Sequence, residues 1–475
     1  MSSKALTEES TPCTVIDDTQ EKKVMVKLVE VLSKVLAISL IILVLSLSIS
    51  NVCAATSAQI EQATSIGVAW LVKQQQASGC PAPSGLTGGC WSPKYNPVGV
   101  TGLAVLKLET HAVLQGLSPF DPKYAYSTNV ASGLAYLFAN AHLGNLETPP
   151  VPGVYFLSPG GSNLNYETAI ALMAIVSCTD PARAASVQGN TMTYHEVAAG
   201  VVSFLAWAQI SDPSRVDFGG WNYDLVNNPT QQADNSNSGF VVIALHFAET
   251  PQRTPPTPGG FGLTISASVK NNLNSWINYI QENGGTDDGG SYYSDPPSGV
   301  PNVLRTGSLL QEMALVGDTA ATPRVQRAID YLVLHWNDLN FGEESGEEGW
   351  KGKAGEISNY LATLTVMQGA LALGLQRIGG IDWYNDFADA IVGQQNLDGS
   401  WPGVSVEGTY LPPVLITTWA LLSLEEASPN HPSPTPPVGG TLMAVSKLAL
   451  LAPYLALLGV IAMVSVASKS RRLGD

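Results

Sequence analysis

Two aspartates side by side can donate a proton or help to chelate a divalent cation, and beyond residue 55 the chain has one such pair, Asp287 and Asp288 in NGGTDDGGSYY. His246, on the apolar run VVIALHFAE, is the other side chain suited to proton transfer. These three are the candidate catalytic residues. Each also has a plainer reading: Asp before Gly in a tight turn bonds backbone amides, and a lone His on an apolar helix is ordinarily a core residue. For the aspartates the turn is the stronger reading. The pair is followed by Gly-Gly-Ser, so it does not extend to the Asp-Asp-X-X-Asp run that magnesium-dependent diphosphate chemistry needs. Cys178, His195, His246 and His335 are scattered without metal-ligand spacing. Nucleophile elbows and phosphate loops are missing. No metal and no cofactor is implied.

The elements that must position these residues repeat. Six times the chain writes an amphipathic helix, a Gly-rich turn with an aromatic, and a second, more apolar helix, starting every 55 to 75 residues. The first copy is TSIGVAWLVKQQQ, Trp91, GVTGLAVLKLE, and the second is VASGLAYLFANA, Tyr155, NYETAIALMAIVS. The third is VAAGVVSFLAWAQ, Trp221, NSGFVVIALHFAE. The fourth runs VKNNLNSWINYIQ, ENGGTDDGGSYY, RTGSLLQEMALVG, and the fifth RAIDYLVLHWND, Trp350, NYLATLTVMQGALALG. The sixth is FADAIVGQQNLDGSWPG with LITTWALLSLEE. No strand alternation competes with this helical spacing.

A helix that is apolar on every side must be covered on every side. Six such second helices, each paired with an amphipathic partner, predict an all-α fold: an α/α toroid of six hairpins with an inner and an outer barrel. A superhelical solenoid is the alternative, but no polar capping helices are present. In the toroid, the residues just before the inner helices ring the central cavity. These are Tyr166, Glu167, Asp234, Asn235, Asn237, Arg305, Asn359, Tyr360 and Tyr410, a candidate ligand-binding rim. Helix capping accounts for Asn237, as it does for its neighbour Ser236.

The pattern of Gln, a few residues, Gly and then Trp, from Gln209 to Trp221 in GGW and from Gln395 to Trp401 in DGSW, resembles the QW repeat of squalene and oxidosqualene cyclases. Their α/α toroid is shared with protein prenyltransferase β subunits. The resemblance spans roughly residues 60 to 426. It implies that Gln209, Trp221, Gln395 and Trp401 are structural braces and that the ligand is an isoprenoid or another apolar molecule. It does not extend to the catalytic motifs. The cyclase acid motif Asp-X-Asp-Asp would need an Asp where Gly285 stands, and Cys178 has no Asp two residues before it to begin a prenyltransferase zinc site. VSCTDPA, with Asp180 after Cys and Thr rather than before, does not match the oxidosqualene cyclase acid.

Of the 475 residues, 45% are hydrophobic and only 13% charged, enough for a large core. Lysines 22, 23, 27 and 34, the apolar segment Val35 to Ser48 and the small residues after it read as a signal peptide within residues 1–55, with Met25 as the expected initiator. The ectodomain is expected at 56–427, a Pro-rich stalk at 428–440, a transmembrane helix at 441–468 and a basic tail at 469–475. The order VGG, VSKLALLAPYLALLG and basic residues resembles the C-terminal anchors of archaeal surface proteins. The predicted location is the cell membrane, single-pass, with the ectodomain outside and the C-terminus cytoplasmic.

Between Thr56 and Asn430 there are 14 Lys and Arg against 32 Asp and Glu, a net charge of −18, which argues against nucleic acid as a partner. Cys80 and Cys90 flank PAPSGLTGG and are expected to form a disulfide outside the cell. Cys178 is expected to be a buried thiol. The functional expectation is a membrane-anchored, terpenoid cyclase-like ligand-binding or interaction module without the known catalytic motifs, with an isoprenoid or other apolar small molecule as its ligand. The alternatives are an isoprenoid cyclase or transferase with a non-standard acid, and a carbohydrate-active or carbohydrate-binding toroid.

Overall fold

The computed structural model describes residue 34 and, within 54–424, all but 83–84, 86–87, 148–149, 225–230, 256, 297–298, 340–348, 353–357 and 407–408. The expected signal segment, stalk, transmembrane helix and basic tail lie outside the described residues. Among those described, no helix is long and apolar enough to cross a membrane.

The fold is mostly helical, in hairpins that follow the sequence repeat. They are α1 (Ser57–Lys73) with α2 (Pro97–Leu114), α3 (Ser127–Ala139) with α4 (Leu164–Ser177), and α5 (Tyr194–Ala208) with α6 (Asn235–Glu249). Then come α7 (Ala267–Ile280) with α8 (Val303–Leu315), α9 (Pro323–Leu334) with α10 (Tyr360–Ala372), and α11 (Trp383–Gly393) with α12 (Pro413–Leu424). Side chains start many of these helices. Thr56 with Gln59 and Thr193 with Glu196 form capping boxes on α1 and α5, and Asp234, Asn302 and Asn359 cap α6, α8 and α10. The periodicity did not foresee three short antiparallel hairpins in the connections: β1 (Ala141–Leu143) with β2 (Val154–Phe156), β3 (Ala184–Val187) with β4 (Asn190–Thr193), and β5 (Val404–Val406) with β6 (Thr409–Leu411). Strands of three or four residues are too short to show an alternation.

Burial divides the helices into two kinds. Odd-numbered helices bury one stripe: Val325, Ala328, Ile329 and Leu332 on α9, and Val269, Leu273, Trp276, Ile277 and Ile280 on α7. Even-numbered helices are covered nearly all round, and in α4 every residue except Tyr166 is buried. The even helices pack in order, α2 on α4, α4 on α6, α6 on α8, α8 on α10 and α10 on α12, and α12 packs against α2. Glycines let α8 and α10 approach closely. A Cβ on Gly307 would lie 2.5 Å from the Val366 nitrogen, and one on Gly369 would lie 2.8 Å from the Gly307 carbonyl oxygen.

The repeat turn is held by one recurring set of hydrogen bonds. Gln209 Nε2 donates to Gly219 O at 2.8 Å, in its own turn, and to Val269 O at 3.1 Å, on the next odd helix. Gln75, Gln281 and Gln395 make the same two kinds of bond, to Gly89 and Asn129, to Gly289 and Arg324, and to Gly399 and Ala63. The four turn glycines share one backbone conformation, with φ of 94° to 97°. At Gly219 an added Cβ would stand 1.9 Å from Asn272 O, so only glycine fits.

The aromatic of each turn does a different job. The Trp91, Trp221 and Trp401 indoles donate back to Leu71, Leu205 and Ile391 of their own odd helices. Their backbone nitrogens donate to Thr101, Ser238 and Thr417 at the head of the following even helix. The glutamine therefore ties neighbouring helices, while the tryptophan closes its own hairpin. In the second repeat Phe156, rather than Tyr155, takes the equivalent backbone bond, to Thr168, and Tyr155 stacks instead on His142 with ring centres 4.8 Å apart. In the fourth repeat Ser291 occupies that place, bonded to Thr306. Near the first turn, Cys80 and Cys90 are joined in a disulfide, and Cys178 is free and buried.

Candidate functional site

At the N-terminal ends of the even helices the packing leaves a cavity of about 310 Å³. Its polar lining is Tyr95, Asn96, Asn163, Tyr166, Tyr223 and Ser236. Its apolar lining includes Val100 and Leu103 of α2, Phe240 of α6, Leu361 of α10, and Leu415 and Trp419 of α12. Five of the six even helices thus contribute. Helix starts bring polar residues to the mouth because caps and first-turn side chains are polar, and the helix bodies below supply aliphatic and aromatic walls. Tyr166, the one α4 residue not buried, meets Phe240 edge-on with ring centres 4.5 Å apart. No Asp, Glu, Lys or Arg lines the cavity among the described residues.

Behind the mouth lies a chain of hydroxyls. The Ser236 hydroxyl donates to Asp234 Oδ1 at 2.6 Å, the Tyr223 hydroxyl lies 3.0 Å from Ser236 Oγ, and the Tyr293 hydroxyl lies 3.3 Å from that of Tyr223. Asp234 also accepts from the Asn237 backbone at 2.9 Å and from Asn237 Nδ2 at 2.8 Å. Burial pushes the Asp234 carboxyl up, against these bonds, and burial followed by the Asp234 charge pushes the Tyr223 phenol up. The Arg305 guanidinium sits 5.0 Å above the Tyr293 ring and donates to Val300 O.

Of the nine expected rim residues, Tyr166 lines the cavity and Asp234 reaches it through Ser236 and Tyr223. Glu167 turns toward Ser158, accepting from its backbone nitrogen and its hydroxyl at 2.6 Å each, and burial raises its carboxyl to about 7. Asn235 bonds Ser291 Oγ and Arg305 O, joining α6 to the next repeat. Asn237 and Asn359 serve in capping, and the Tyr360 hydroxyl donates to Gln394 Oε1 at 2.6 Å. Tyr410 lies in β6, paired with Ser405.

The candidate catalytic residues lie elsewhere. Asp287 and Asp288 stand in the turn after α7 and face α9: Asp287 Oδ1 is 3.5 Å from His335 Nε2, and Asp288 Oδ1 is 3.8 Å from Arg327 Nε. Asp288 also accepts from the Gly284 nitrogen in its own turn at 3.0 Å. His246 belongs to the last turn of α6, beside a narrow cleft lined by Gln311 and Gln368. Burial lowers its imidazole to about 4 and so keeps it neutral. Among the described residues no group of three or more His, Cys, Asp or Glu could hold a metal ion.

Sequence reasoning missed Tyr95, Asn96, Asn163 and Tyr223. A signal was present: Asn stands next to Tyr at 95–96, 165–166 and 222–223, and all three tyrosines line the cavity.

No family model and no curated protein matches the chain. Among solved structures it is similar to the type II terpene cyclase MstE from Scytonema in its apo form, with a TM-score of 0.42 and 14% identity over 79% of this chain and 100% of that one. A variant of MstE in complex with merosterolic acid A, its product, gives 0.40 and 13% identity over 79% and 98% of the two chains. Another variant, in complex with the substrate geranylgeranyl dihydroxybenzoate, gives 0.40 and 13% over 78% and 96%.

Proposed function

We propose that residues 56–427 form an α/α toroid that binds an apolar, isoprenoid-type small molecule without turning it over, and that the segment at 441–468 holds it at the cell surface. The cyclic order of contacts among the even helices supports the toroid, as does the bond from Gln395 to Ala63. The observation that carries the binding reading is the lining of the cavity: phenols, amides and a serine around the mouth, aliphatic and aromatic walls below, and no carboxylate among the described residues. Its volume of about 310 Å³ falls at the lower end of small-molecule sites, about 300 to 1,000 Å³. The likeness of the Gln209 to Trp221 and Gln395 to Trp401 repeats to those of squalene cyclases favours an isoprenoid over other apolar ligands.

Proton-initiated cyclisation needs a strong acid in contact with the ligand, and Asp287 and Asp288 are held instead against α9. Sugar cleavage needs two carboxylates about 5 to 10 Å apart across the substrate, which the described residues of the lining do not supply. The catalytic alternative rests on Asp234, the carboxyl connected to the cavity through Ser236 and Tyr223.

The test is equilibrium dialysis of radiolabelled farnesol against the full chain in lipid nanodiscs, with empty nanodiscs subtracted. Saturable binding that Leu361→Trp removes, with farnesol recovered unchanged, is the expected result. Absence of saturable binding, or binding indifferent to Leu361→Trp, would refute the cavity as the site. Recovery of a cyclised or hydrated product would refute the non-catalytic reading.

A further inference from the structure

Resting on that binding reading, we propose that the mouth of the cavity takes an uncharged, hydrogen-donating end of the ligand, a hydroxyl, in preference to a phosphate or a carboxylate. Among the described residues the polar side chains of the mouth are all neutral: three phenols, two amides and one serine hydroxyl. The carboxyl bonded directly behind them is that of Asp234, and a second acid lies nearby. Asp234 holds the Ser236 hydroxyl, and Glu167, one residue from Tyr166, holds Ser158. Arg305 lies behind Tyr293, stacked over its ring and bonded to Val300 O, and is not part of the lining. An anionic head entering here would lose its water without meeting a cation among the described residues, and buried charge without a partner is costly.

The direction of the hydroxyl chain sharpens the choice. An ionised carboxylate only accepts hydrogen bonds, so Asp234 fixes the Ser236 proton toward itself. Ser236 Oγ is then an acceptor for Tyr223 at 3.0 Å, and Tyr223 an acceptor for Tyr293 at 3.3 Å. Their protons run toward Asp234, which leaves oxygen lone pairs as what Ser236 and Tyr223 offer to a ligand. Such a mouth favours a group that brings its own proton. An alcohol does so; an ether of the same shape does not.

The experiment compares farnesol, farnesyl methyl ether and farnesyl diphosphate by equilibrium dialysis against the full chain in nanodiscs. A hydrogen bond of about 1 kcal/mol is worth about five-fold in affinity, so farnesol is expected to bind about five-fold or more tighter than the ether and the diphosphate. Tyr223→Phe and Ser236→Ala should each shrink the gap between alcohol and ether to under about two-fold, with far-ultraviolet circular dichroism reporting an intact helical fold. Diphosphate binding as tightly as farnesol, or an ether equal to the alcohol in the unaltered protein, would overturn the head-group inference while the cavity reading stands. If none of the three binds, the cavity reading falls and takes this inference with it.

Discussion

Gln395 Nε2 donates to the carbonyl oxygen of Ala63 at 2.9 Å across a sequence separation of 332 residues. The last repeat is thereby tied to the first by the bond that Gln209 makes from the third repeat to the fourth. Gln395→Ala leaves two carbonyls without their donor and should destabilise the fold by about 1 to 3 kcal/mol, read as a lower midpoint in chemical denaturation. Gln209→Ala, at a residue 1% exposed, should fall at the upper end of that range. Unchanged midpoints for both would mean that the braces do not hold the repeats together.

The disulfide between Cys80 and Cys90 closes a loop of sequence separation 10. A loop of that size constrains the unfolded chain by about 2 to 3 kcal/mol. Cys80→Ser with Cys90→Ser should lower the thermal midpoint, and addition of reductant should have no further effect on the double variant. Equal midpoints for the variant and the oxidised protein would refute that contribution.

Buried carboxyls set the pH dependence. Burial raises Glu167 to about 7 and Glu312 to about 8, the latter opposed by the Trp276 indole. A raised carboxyl binds its proton more tightly in the folded state than in the unfolded one, so its contribution is complete below the unfolded value and is lost as pH rises through the folded one. Stability should therefore fall between about pH 4.5 and pH 8. Glu312→Gln, which keeps shape and removes the titration, should flatten that fall. A slope unchanged in Glu312→Gln would show that this carboxyl does not supply it.

The turn aspartates should be dispensable for ligand binding. Asp288 pairs with Arg327 at 3.8 Å where both side chains are more than a third exposed, and exposed pairs contribute about 0 to 1 kcal/mol. Asp287→Asn with Asp288→Asn should leave farnesol affinity unchanged and shift stability by about 1 kcal/mol or less. Loss of binding in this double variant would bring the pair back as a functional site.

How far the sequence discloses this fold depends on which residues carry a positional demand. Gln209, Gly219 and Trp221 recur, at varying distances from the glutamine, because the amide and the indole each make a specific bond and the turn glycine has a φ of 94° with no room for a Cβ, so the repeat was plain wherever all three were kept. It blurred where they were replaced, and there Phe156 and Ser291 took a place that an aromatic next to them seemed to hold. The cavity lining was less legible. Residues before an apolar helix could be seen to cap it or to face the ring, but which of them faces inward depends on the rotation of each helix, and a difference of one residue turns a side chain by about 100°. Tyr166 therefore faces the cavity while Glu167 faces Ser158. Tyr223 lies in a connection before α6, outside any periodic pattern, and only its neighbour Asn222 marked it.

The central claim is that the ligand sits among the starts of the even helices, and photo-crosslinking with a diazirine analogue of farnesol tests it most directly. Peptide mapping should place the adducts on Tyr166, Tyr223, Phe240 or Trp419, with excess farnesol suppressing them and Leu361→Trp abolishing them. Adducts confined to the cleft beside His246, to the odd helices, or to the segment at 441–468 would contradict the account.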